Sequence, residues 1–241
     1  MQVLDLTAPP GDWPLLPAIP AHEIASGTPE QRGVEVFSAP EDGLTVGLWS
    51  CTPYVTAPGP YPVDEYMILL EGMVTIRLPD GRSETVRAGE SFFIPKGLDC
   101  VLDQPETVRK VYVIFENGVP AGAGFPLRVN PLVGLTPSPS PAAAVLVGGS
   151  PQQQAAELYE DASGQFSVGI WATTPYVRIP IPYPRHELMH LLAGEVTLTA
   201  GGVTRTWRAG ETFFVPKGCV VDWVSTVDVR KIYCSIVPKA G

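Results

Sequence analysis

Short apolar runs, broken at close intervals by Gly, Pro or Asp, set the pattern of this chain. FSVGIW from Phe166, MHLLAGEVTLTA from Met189, TFFVPKG from Thr212 and VRKIYCSIV from Val229 are rich in β-branched and aromatic residues and end on turn formers. They predict short strands. No window keeps helical spacing over a useful length. PQQQAAELYE from Pro151 favours a helical turn through its Ala and Gln, but PEQRGVEVFS from Pro29, its counterpart in the repeat described next, does not. Many short strands separated by regular turns predict an all-β sandwich or barrel.

The pattern occurs twice. VGLWSCTPYV from Val46 matches VGIWATTPYV from Val168, and Trp49 falls on Trp171, a displacement of 171 − 49 = 122 residues. The same displacement carries YPVDEYMILLEG (Tyr61 to Gly72) onto YPRHELMHLLAG (Tyr183 to Gly194), with Glu65 on Glu187. One residue is lost between LPDG and TAGG. RAGESFFIPKG from Arg87 then matches RAGETFFVPKG from Arg208, a displacement of 208 − 87 = 121, and VRKVY from Val108 matches VRKIY from Val229. Internal repetition sets the domain plan. We expect an N-terminal arm (1–17), a first barrel domain (18–116), a Gly- and Pro-rich linker (117–139) and a second barrel domain (140–238).

Composition narrows the partners. A net charge of −9 leaves no basic stripe for a phosphate backbone, so neither nucleic acid nor an anionic membrane surface is expected. The N-terminal stretch lacks a basic region, and prolines cut its apolar residues, so no signal peptide is expected. Cys51, Cys100, Cys219 and Cys234 have no CxxC spacing and no equivalent positions in the two repeats, which predicts reduced thiols in a cytoplasmic protein rather than a disulfide framework.

Within each repeat, six residues separate a glutamate from a glycine, and then, after about twenty residues, come a Gly, five residues, and Pro-x-Gly. Gly in a turn, an apolar strand and a Pro-x-Gly corner suit a strand that crosses and leaves a small barrel. This resembles the cupins, whose motifs are G(X)5HXH(X)3,4E(X)6G and G(X)5PXG(X)2H(X)3N. Glu65 and Gly72, like Glu187 and Gly194, fit the first; Gly89, Pro95 and Gly97, like Gly210, Pro216 and Gly218, fit the second. The resemblance implies two tandem cupin barrels, each a double-stranded β-helix or jelly roll: a bicupin. The run W-x-x-T-P, the E-x-x-H-L-L-x-G form at Glu187, Trp223 and the terminal V-R-K-x-Y are similar to the ureidoglycine aminohydrolase and ethanolamine-utilisation branch. Bicupins commonly self-associate, which leaves a homodimer open.

A cupin metal needs two histidines and a glutamate from the first motif and one histidine from the second, a donor set suited to Mn, Fe, Ni or Zn. Here the histidine positions hold Gly59, Tyr61 and Cys100 in the first repeat and Ile181, Tyr183 and Val221 in the second; the longer spacing substitutes prolines. Each half keeps only its glutamate, so no metal or other cofactor is expected. His186 and His190 share a strand parity opposite to Glu187, so they face away from it. A carboxylate inside an apolar barrel must be paired. Lys110 and Lys231 stand in hydrophobic strands, each two residues before a tyrosine (Tyr112, Tyr233), and predict Glu65–Lys110 and Glu187–Lys231 pairs. Each pair anchors a small polar or nitrogen-containing ligand, acts as an acid–base couple, or simply fixes the barrel. Tyr61, Tyr183, Trp49, Trp171, Cys100 and His190 complete the ligand-binding candidates, with Cys100 read as a structural thiol because no nearby histidine activates it. Of the two halves, Glu187, near His186 and His190, is the stronger candidate for a site. The remaining readings are a metal-dependent aminohydrolase or isomerase and a non-catalytic structural or regulatory cupin.

Overall fold

A computed structural model describes residues 1–7, 13–120 and 127–239. The described residues form strands and three short 3-10 turns, and none of their helices is long and apolar enough to cross a membrane. The chain divides into two compact units. One comprises Ala8–Val129 with Asp161–Ser163; the other comprises Met1–Thr7, Asn130–Glu160 and Gly164–Gly241.

The first unit pairs a five-stranded sheet with a six-stranded one. Strands Ser91–Ile94, Asp64–Glu71, Val108–Phe115, Leu44–Cys51 and Gln31–Ala39 lie in that order in one sheet. The other runs Ile24–Gly27, Tyr54–Thr56, Asp99–Gln104, Met73–Arg77 and Ser83–Arg87, with Gly59–Pro60 also paired to Asp99–Gln104. Every pairing is antiparallel. The other unit repeats the plan in a seven-stranded sheet centred on His186–Ala193, Val229–Ile236 and Phe166–Thr173, and a four-stranded sheet of Tyr176–Pro182, Val220–Ser225, Glu195–Ala200 and Val203–Arg208. Alternation of buried and exposed positions, as along Met73–Arg77 and Glu195–Ala200, shows why these sequences prefer a pleated strand with one face inward. PQQQAAELYE contributes strand Gln153–Glu160, paired along its length with Phe166–Thr173. Pairing and burial outweigh the helical preference of its Ala and Gln.

Segments outside the repeats cover the edge strands. Arg128 pairs with Phe92, and the Val129 and Phe93 amides donate to the Ser91 and Leu127 carbonyls, so residues of the expected linker extend the Ser91–Ile94 edge. In the second unit Leu4 and Asp5 pair with Phe214 and Phe213, and the Leu6 amide donates to the Thr212 carbonyl. An uncovered edge would present a row of free backbone donors and acceptors to any passing chain.

Gly72 and Gly194 end the glutamate-bearing strands in equivalent turns, with φ of 79° and 78°. A Cβ there would lie 2.3 Å from the Thr107 carbonyl oxygen or 2.0 Å from that of Asp228. Left-handed backbone and steric exclusion act together at these positions. Gly194→Ala is therefore expected to cost at least about 2 kcal/mol, measured by chemical denaturation.

Candidate binding site in the first barrel

Strand register brings the predicted partners together in both units. Lys110 is cross-strand from Trp49 on one side and from Leu69 on the other, beyond an irregularity between Arg109 and Lys110; Lys231 is cross-strand from Trp171 and Leu191 in the same way. Each lysine thus reaches along the barrel interior to its glutamate. Lys110 Nζ donates to Glu65 Oε1 at 2.8 Å, and Lys231 Nζ to Glu187 Oε1 at 2.6 Å. A methionine sulfur lies beside each ammonium, Met67 at 3.2 Å and Met189 at 3.1 Å, and each ammonium sits over an indole, Trp49 at 4.6 Å and Trp171 at 4.8 Å from the ring centroid. The second carboxylate oxygen accepts from the Tyr61 hydroxyl in the first unit and from the Tyr183 hydroxyl in the second.

These residues do not fit a transition metal. An ammonium bound to the lone carboxylate stands where a cation's charge would be needed, and a phenol replaces an imidazole. Among the described residues no three of His, Cys, Asp and Glu come together as a ligand set. His186 is buried, accepts from the Lys217 amide through Nδ1 and stacks on Phe214; His190 Nδ1 lies 2.8 Å from Thr212 Oγ1. Burial pushes the His190 ring below its usual pKa.

Beyond the shared core, the two barrels diverge. In the second, Arg185 Nε also donates to Glu187 Oε2 at 2.8 Å, so the carboxylate is held by Lys231, Arg185 and Tyr183. Burial alone would raise the Glu187 pKa, but Lys231 and then Arg185 more than offset it and bring it down to about 2. Trp223 caps this pair: its ring is edge-on to Trp171 at 5.6 Å, stacked on Tyr176 at 5.7 Å, and 5.6 Å from Lys231 Nζ. Trp207 stacks on Phe213 at 4.7 Å in the same packed cluster. One contact is common to both: Tyr233 lies against Gly169 and Tyr112 against Gly47, where a Cβ would come 2.4 and 2.6 Å from the hydroxyl oxygen.

The first barrel has smaller residues at the equivalent positions. Val63 replaces Arg185, Thr56 replaces Arg178, Leu102 replaces Trp223, Val86 replaces Trp207 and Gly59 replaces Ile181. A cavity of about 750 Å³ results, lined by Glu65, Lys110, Tyr61, Trp49, Tyr112 and Cys100 among others. That volume is within the usual range of small-molecule sites. A Cβ built on Gly59, also in its wall, meets nothing within 4 Å. The sequence points to Glu187, whereas the cavity lies on Glu65. The Lys110 side chain is 13% exposed and that of Lys231 only 6%, so the first ammonium has a flank open to the cavity.

Around the cavity the Cys100 thiol and the tyrosine phenols are held protonated. Burial, then Asp99, raises the Cys100 thiol to about 11, which keeps it from acting as a thiolate nucleophile. Tyr112 rises to about 12 through burial and Glu65, and Tyr61 and Tyr54 are pushed well up by burial first and neighbouring charge second. All four cysteines are free and buried. Thr56, Leu102 and Arg185 carry no motif signal because they occupy positions that the cupin motifs leave variable. A position-by-position comparison of side-chain volume between the repeats contains that signal.

The folds of solved proteins agree with this architecture. The EutQ-like cupin domain matches residues 38–112 and again 160–233, together more than half of the chain, and the chain therefore belongs to the EutQ-like cupin family. It is a bicupin. A protein of unknown function from Pseudomonas syringae pv. tomato str. DC3000 is 29% identical, with 97% of each chain covered and a TM-score of 0.80. A cupin 2 conserved barrel domain protein from Leptotrichia buccalis is 12% identical over 89% of this chain and 97% of its own, with a TM-score of 0.59. The putative glyoxylate-induced protein from Pseudomonas aeruginosa is 15% identical over 88% and 82%, with a TM-score of 0.53; these last two likenesses concern the fold alone. No curated protein matches the chain.

Proposed function

We propose that the first barrel binds a small polar or nitrogen-containing metabolite at the Glu65–Lys110 pair without a metal ion, and that the second barrel is structural. One observation carries the reading: a buried ion pair lines a cavity of about 750 Å³ in the first barrel. In the second barrel the equivalent pair is covered by Trp223 and tied to Arg185. The similarity to ureidoglycine aminohydrolases suggests a nitrogen-containing ligand, and the free, buried thiols suit a cytoplasmic setting.

A thermal-shift screen of small nitrogenous metabolites and divalent metals tests it. A metabolite at a hundred times its Kd is expected to stabilise the wild-type protein by about 2.7 kcal/mol. Glu65→Gln and Lys110→Met are expected to lose that response, with calorimetric titration at low temperature separating lost binding from lost folding. A wild-type response to Mn, Fe, Ni or Zn that disappears in Glu65→Gln would overturn the metal-free reading. So would a metabolite response that survives in both variants.

A further inference from the structure

The proposed site in the first barrel also constrains the chemistry of its ligand. Lys110 has three N–H donors. One meets Glu65 and one the Met67 thioether, a weak acceptor, and the ammonium's remaining flank faces the indole of Trp49 and the cavity. In the second barrel that flank is sealed by Trp223, whereas Leu102 leaves it open here. Beyond Glu65 no oxygen among the described residues accepts from this ammonium, so the flank that faces the cavity favours an acceptor oxygen. Tyr54 and Tyr112 supply two more donors. Both line the cavity, neither hydroxyl is hydrogen-bonded to any described residue, and both stay protonated at neutral pH.

Charge then limits which oxygen fits. Glu65 and Lys110 cancel. The other ionisable wall residues with formal charge are Glu23 and Glu116, with His22 beside Glu23 at 3.7 Å. A carboxylate ligand would meet these two acids and Glu65; an amine would meet Lys110. At the equivalent positions the second barrel has Val145 and Val237, so the acidic residues are a property of the first barrel alone. Trp49, Tyr54, Phe92 and Tyr112 offer flat apolar surface to an unsaturated or ring-bearing body.

Resting on the binding reading above, we infer that the first barrel selects an uncharged carbonyl compound of the amide type, its oxygen accepting from Lys110 and its planar body lying against the aromatic wall. Benzamide, benzoate and benzylamine share one ring and differ in charge, so they isolate this choice. Isothermal titration of the full-length protein should show benzamide binding about tenfold or more tightly than either charged analogue. That binding should be lost in Lys110→Met, weakened in Tyr54→Phe, and lost in Leu102→Trp, whose indole would occupy the open flank. Glu23→Gln combined with Glu116→Gln, both at exposed positions, should narrow the gap between benzamide and benzoate. Benzoate or benzylamine binding as tightly as benzamide, with Leu102→Trp abolishing it, would overturn the ligand class and leave the site standing. Heats from all three indistinguishable between wild type and a folded Leu102→Trp protein, as judged by its melting curve, would overturn both.

Discussion

Glu187→Leu is expected to destabilise the second unit by about 3–5 kcal/mol, the largest effect of any single substitution considered. Glu187 is almost fully buried and accepts from Lys231, Arg185 and Tyr183. Removing it leaves the Lys231 ammonium with a thioether and two indole faces in an interior that water does not reach. Arg185, nearly half exposed, can turn to solvent; Lys231 cannot. Adding Lys231→Met to Glu187→Leu should therefore restore most of the loss, because two apolar groups of similar shape replace a charge pair without leaving either partner alone. Denaturant melts of the two single variants and the double variant give the coupling directly.

The same pair sets acid stability. The Glu187 pKa falls from an ordinary 4.5 to about 2 on folding, so its contribution is fully present above the higher value and disappears as pH falls through the lower one. Between those limits the wild-type protein should lose roughly 3 kcal/mol that Glu187→Leu has already lost. The wild-type and Glu187→Leu stability curves are expected to converge as the pH approaches 2. Curves that stay parallel would show that folding leaves the Glu187 pKa unchanged.

Filling the first barrel should separate stability from binding. Leu102→Trp places an indole where Trp223 stands in the second repeat, and its two ring partners there, Trp171 and Tyr176, have counterparts in Trp49 and Tyr54. Gly59→Ile extends the filling into space that a Cβ finds empty. Buried aromatic surface gained without loss of a hydrogen bond is worth about 1–3 kcal/mol. The filled variant is expected to melt no lower than wild type, yet to bind any first-barrel ligand at least about a hundredfold more weakly, because ligand and indole compete for one volume. Equal loss of stability and binding would show that the cavity is needed for the fold.

Much of this architecture could be read from the chain. Two displaced copies of a strand pattern, each with a Pro-x-Gly corner, define two barrels, and a lysine inside an apolar strand predicts its own carboxylate partner because an unpaired buried ammonium is too costly. Motif matching gave the glutamates equal standing and tipped toward Glu187 through its histidines, which turn out to face Lys217 and Thr212. What distinguishes the halves is bulk at positions the cupin motifs leave variable, Thr56 against Arg178 and Leu102 against Trp223, and bulk becomes a cavity only when strand pairing shows which side chains share an interior. Leu4–Asp5 had no local signal either; two residues become a strand only because the distant edge at Phe213 and Phe214 is open to them.

The claim on which the rest depends is that an ammonium, rather than a metal ion, balances Glu65. Elemental analysis of protein purified from metal-replete cells tests it most directly. Mn, Fe, Ni and Zn are each expected well below one equivalent per chain, with no difference between wild type and Glu65→Gln. One equivalent of any of them in the wild-type protein, absent from Glu65→Gln, would contradict it.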